Sequence, residues 1–166
     1  MRSLVRSTYL LRKFLLNLRK IGSITRGPLQ DVAFPYNSLP TAGPFASAER
    51  FHEWFSNLYR RNLPDPNAYP PDPYHEGLPN SARVVFTHAD LHPTNILVSS
   101  DDPPKVMAIV DWHQSGWLPD YWEYVKSVYT MGPENEWSRK YLPLIVPSAG
   151  DACEESWYFY VESAGN

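Results

Sequence analysis

The sequence predicts an α+β fold, mainly α, with a small β-hairpin that carries a polar loop. Three observations predict it. Apolar residues recur at helical spacing around residues 3–21, 47–62 and 120–131. Two strand-like runs, NILVSS (95–100) and KVMAIVDW (105–112), flank DDPP (101–104), which reads as the turn between them. Ahead of that hairpin, FTHADLHPTNILV (86–98) gathers two histidines, an aspartate and an asparagine next to an apolar run.

The first helix carries Leu4, Leu11, Phe14, Leu15, Leu18 and Ile21 as one stripe and ends near Gly22. IGSITRGPLQD (21–31) has the glycine spacing of a phosphate-binding loop, but Pro28 stands where the lysine belongs, so it reads as a turn. Residues 32–46 read as loop. The second helix is expected from Ser47, a good N-cap, to Asn62, with Glu49 in its first turn and Phe51, Trp54, Phe55 and Leu58 on its buried face. LPDPNAYPPDPYHEGLP (63–79) is too proline-rich for helix or central strand and is expected to be an exposed loop. ARVVFTH (82–88) reads as the strand entering the polar loop. The helix over 120–131 has Pro119 near its first turn, and Glu123 is expected to tie it to a basic partner. No motif can be placed in the last thirty-odd residues.

At 166 residues the chain suffices for a single domain (1–166) with a real core, and 43% hydrophobic content supports a packed interior. The lone Cys153 excludes an internal disulfide and fits a reducing compartment. No apolar run is long enough for a transmembrane helix, and a net charge of −3 argues against a nucleic-acid partner. A cytoplasmic protein is expected. The basic residues before position 30, unaccompanied by any acid, give mitochondrial targeting as the alternative. The rest of the chain is acidic, which suits a cationic substrate.

Four polar groups are expected at one edge of the hairpin: His88 and Asp90 at the end of the incoming strand, Asn95 opening the next, and Asp111 closing the last. Phosphoryl transfer needs such a set. One carboxylate orients the attacking hydroxyl and accepts its proton. A second carboxylate and an amide oxygen suit Mg2+, a hard cation. His88-x-Asp90 followed by Asn95 matches the spacing of a kinase catalytic loop, and Asp111 takes the place of the metal-binding aspartate that follows it.

HADLHPTNILV (88–98) followed by IVDWHQSGWLPDYWEY (109–124) resembles the aminoglycoside phosphotransferase and choline kinase-like group, in particular its fungal members. The resemblance covers nearly the whole chain, but as the C-terminal lobe of a two-lobed protein kinase-like fold, with the N-lobe absent. It implies ATP-dependent phosphorylation of a hydroxyl on a small molecule. Asp90 would be the catalytic base, with His88 bracing the loop. Asn95 and Asp111 would be the Mg2+ ligands, and His92 and Asn95 would contact the cofactor. Ala89 stands where glycine is usual, and His113 where an acid often follows the Asp-Trp pair. No glycine-rich loop followed by a strand lysine occurs in the chain. A truncated phosphotransferase with very weak ATP affinity is therefore the expectation.

Two alternatives belong to other classes. One is a non-catalytic, pseudokinase-like binding module or a gene fragment. The other is a metal-dependent hydrolase. In an extended chain the alternation of His88, Asp90 and His92, repeated by Asp111 and His113, would aim five ligands at zinc or iron.

Overall fold

The computed structural model describes residues 11–13, 45–58, 60, 65 and 72–164. Residues 11–13 are helical, and Leu11 is buried. The remainder of the expected first helix, the turn at 21–31 and nearly all of the loop at 32–46 lie outside the described residues.

The first complete helix, α1, is Ala48–Ser56. Ser47 caps it, its hydroxyl accepting the Arg50 N–H at 3.2 Å. The helix stops at Asn57, short of the expected Asn62, and the Asn57 side chain donates to the Glu53 carbonyl. Phe51, Phe55 and Leu58 are buried, whereas Trp54 is half-buried. His52 is buried as well, with Nδ1 facing Asn80 Oδ1 and Nε2 facing the Tyr121 hydroxyl.

The expected exposed loop at 63–79 is corrected at its C-terminal end. His75–Gly77 forms a 3-10 turn, and Leu78 is buried. Tyr74 stacks on Phe159 at 4.1 Å, and the Tyr160 hydroxyl donates to Asp72. Gly77 permits that approach: a Cβ there would stand 2.5 Å from the Ala152 carbonyl oxygen.

Four short strands follow: β1 Val84–Thr87, β2 Ile96–Val98, β3 Val106–Ile109 and β4 Gly116–Pro119. They form two separate antiparallel pairs, β1 with β4 and β2 with β3. The β2–β3 hairpin is the expected one. The incoming strand is not part of its sheet, as β1 pairs instead with β4, which the sequence did not announce. A 3-10 turn, Trp112–Gln114, leads from β3 into β4.

Helix α2, Trp122–Met131, comes next, and Pro119 proves to be the last residue of β4. A π-helical turn at Trp137–Tyr141 runs into the short α3, Leu142–Ile145. Helix α4, Asp151–Ala164, fills the region where no motif could be placed. Trp122 is fully buried at the centre, with Phe51, Phe55 and Trp157 ring centroids 5.3–5.5 Å away. Each such edge-to-face pair adds about 0.5–1.5 kcal/mol beyond area burial. Among the described residues no helix is long and apolar enough to cross a membrane.

Candidate functional site

The polar loop leaves β1 at His88. This ring is 1% exposed and packs edge-on against Trp112 at 4.5 Å. Its Nδ1 accepts the Asp90 backbone N–H at 3.2 Å, so Nε2 carries the proton and donates to the Val110 carbonyl at 2.9 Å. Burial pushes the imidazole pKa down, opposed by hydrogen bonds and by the charges of Asp90 and Asp111. Both carboxylates therefore lie close to one histidine, which ties the start of the loop to the end of β3.

Ala89 takes φ 61, in the left-handed region, and is fully buried. A non-glycine residue there costs on the order of 1–2 kcal/mol. This conformation is the physical reason glycine suits the position. Its positive φ also breaks the extended alternation on which the hydrolase reading depended. His88 spends both ring nitrogens on the backbone, and among the described residues no three His, Cys, Asp or Glu side chains group as a metal-binding set.

Asp90 and Asn95 meet directly. Asn95 Nδ2 donates to the Asp90 carbonyl at 2.9 Å and to Asp90 Oδ2 at 3.1 Å. Both partners are acceptors only, so the amide orientation is fixed and Oδ1 is the atom it leaves for a cation. His92 caps the intervening 3-10 turn, Pro93–Asn95: its Nδ1 accepts from the Thr94 N–H and pairs with the Thr94 hydroxyl at 2.7 Å. The Val110 N–H donates to the Asn95 carbonyl at 2.9 Å, so Val110 is bonded to both ends of the loop, and Asp111 comes directly after it.

Asp111 takes φ 66 and ψ 58. Its side chain is 52% exposed, and Oδ1 lies 2.5 Å from His113 Nδ1. The turn that follows is anchored on its inner side, where Trp112 Nε1 donates to the Ile109 carbonyl at 2.7 Å and buried Gln114 accepts from Lys126 Nζ at 2.9 Å. Two oxygen-bearing side chains, Asn95 and Asp111, thus stand at neighbouring chain ends with donors of the hardness Mg2+ prefers.

Sequence reasoning missed how α2 holds these parts. Glu123 Oε2 accepts the His88 N–H at 2.7 Å, Lys126 grips Gln114, and the Ser127 hydroxyl donates to the Leu91 carbonyl at 2.7 Å. Ser127 Oγ in turn accepts from Trp137 Nε1 at 2.9 Å. The expected tie of Glu123 to a basic partner is, in this bond, a tie to backbone. Charged and polar residues at i, i+3 and i+4 on a helix were the available signal.

No curated protein and no solved structure matches the chain. Residues 72–143 match the model of the phosphotransferase enzyme family, which agrees with the resemblance to aminoglycoside phosphotransferases and choline kinase-like proteins. The matched segment is the one that holds Asp90, Asn95 and Asp111.

Proposed function

We propose that this site serves transfer of the γ-phosphoryl group of ATP to a hydroxyl of a small molecule, on a kinase-like C-terminal lobe. The observation that carries the reading is the direct pairing of Asp90 with Asn95 inside a His-x-Asp-x4-Asn loop of a phosphotransferase-family segment. Bound Mg2+ would neutralise charge developing on the phosphates.

The chain's own residues divide the remaining work. Asp90 orients the acceptor hydroxyl and takes its proton. Asn95 holds the Asp90 carboxylate through its amide nitrogen, and its amide oxygen and the Asp111 carboxylate would hold Mg2+. His88 keeps the loop closed on Val110 and stays neutral through burial. His92, with its acceptor nitrogen turned to Thr94, has Nε2–H available as a donor to a phosphate oxygen. The acidic balance of the chain beyond its basic first thirty residues favours a cationic acceptor such as an amino alcohol.

The experiment is transfer of label from γ-32P-ATP with Mg2+ to a panel of amino alcohols, aminosugars and neutral polyols. Wild-type chain labels at least one acceptor, and Asp90→Asn lowers the rate by about 10²-fold or more. Absence of labelled product with wild type across the panel, or undiminished transfer by Asp90→Asn, would overturn the reading.

A further inference from the structure

His113, paired with Asp111, is the residue that this division of labour leaves unused. We propose that His113 is a positioning residue for Asp111: its Nδ1–H engages Oδ1, fixes the carboxylate plane and leaves Oδ2 as the oxygen that meets the cation. The inference rests on the phosphotransferase reading, in which Asp111 is a Mg2+ ligand.

Three observations carry it. His113 Nδ1 and Asp111 Oδ1 are in direct hydrogen-bond contact. Both side chains are more than half exposed, 58% for His113 and 52% for Asp111, so the pair stands at the surface where a cation can arrive. The backbone under the pair is held from behind. Trp112 and Gln114, the alternate residues of the same turn, are bonded to Ile109 and Lys126, and the Ser115 N–H and hydroxyl both donate to the Trp112 carbonyl. A free carboxylate rotates about its last torsion, which is broad. A donor on one oxygen removes that freedom. Outer partners of this kind typically change metal affinity by about 10–100-fold when lost. An acid at position 113, common in the chains this one resembles, carries no proton to donate at neutral pH and repels Asp111.

The test is a titration of the chain with Mn2+ in the presence of ATP, with free Mn2+ read from its electron paramagnetic resonance signal and the uptake by ATP alone subtracted. Wild type takes up Mn2+, and Asp111→Asn abolishes the uptake. His113→Ala weakens affinity about 10-fold. His113→Asn, whose Nδ2 can stand where Nδ1 does, stays within about 3-fold of wild type. Should His113→Ala fold poorly, His113→Leu, close in size and without a donor, replaces it in the comparison with His113→Asn. Affinity in the donor-free variants equal to wild type, or His113→Asn as weak as they are, overturns the positioning role while leaving the parent reading intact. Wild-type uptake that survives Asp111→Asn, or no wild-type uptake at all, overturns the parent reading and the inference together.

Discussion

The two small sheets have the same design and opposite surroundings. Both are antiparallel pairs of three- or four-residue strands, and an isolated pair of that size is marginal in water. In β1–β4, Val85, Thr87 and Leu118 are buried. In β2–β3, Leu97, Val98 and Met107 are 48%, 57% and 66% exposed, and Ile109 alone is buried, with Ile96 and Val106 half-buried against the core. The covered sheet fixes the position from which the polar loop starts. The open hairpin fixes the separation between Asn95 at its entry and Asp111 after its exit. Anchoring and presentation are thus assigned to different strand pairs.

The sharpest way to break that contrast is in β4. Leu118→Ala, opposite Val85, removes a side chain that is 1% exposed and should cost about 2–5 kcal/mol in urea unfolding. Ser127→Ala should come next. It leaves the Leu91 carbonyl and the Trp137 indole N–H without their shared hydroxyl, a loss of about 1–3 kcal/mol by the same measurement. A rise in stability for either variant would refute the assignment.

Acidity gives a milder perturbation. His52 and His88 are buried, and desolvation is the largest influence lowering both pKa values. In the unfolded chain each titrates near 6.5. Below about pH 6.5 the unfolded state therefore binds more protons than the native one, and stability falls as pH falls. Urea midpoints at pH 7.5 and 5.5 should show that drop, and His52→Gln should reduce it. Equal midpoints would mean that neither ring stays neutral in the native state. The smallest effect belongs to the open hairpin: Met107→Ala should shift stability by no more than about 0.5 kcal/mol. If it costs as much as Leu118→Ala, the hairpin is no less covered than β1–β4 and the contrast fails.

Much of the site was legible because its signal is local. The five-residue step from Asp90 to Asn95 spans one tight turn, and spacing along the chain maps directly onto the hydrogen bonds found there. The hairpin was legible for the same reason, since DDPP lies between two runs that read as strands. Strand β4 was not. Gly116 and Pro119 are poor strand residues, and GWLP becomes a strand only because β1 offers a partner across the intervening residues 88–115. Helix α4 carries its buried face at Cys153, Ser156, Trp157, Tyr160 and Val161, a proper helical spacing. Four consecutive aromatics from Trp157 to Tyr160 spread bulk around the whole circumference and blurred the stripe. The partners of the α2 clamp were invisible because they are mostly backbone atoms of another segment, which leave no mark on residue type. The likeness of 88–98 and 109–124 to phosphotransferases, by contrast, survived comparison, because motif wording is itself sequence.

Helix α2 has one further consequence. Glu123 and Lys126 sit three residues apart, roughly 4.5 Å along the axis at 1.5 Å per residue. One grips the strand end before Asp90, and the other grips the turn after Asp111. The spacing of the two carboxylate-bearing segments is therefore indexed to a single rigid ruler. A tilt or slide of that rod would displace both arms of the cradle in concert, whereas cutting either grip would let one drift alone.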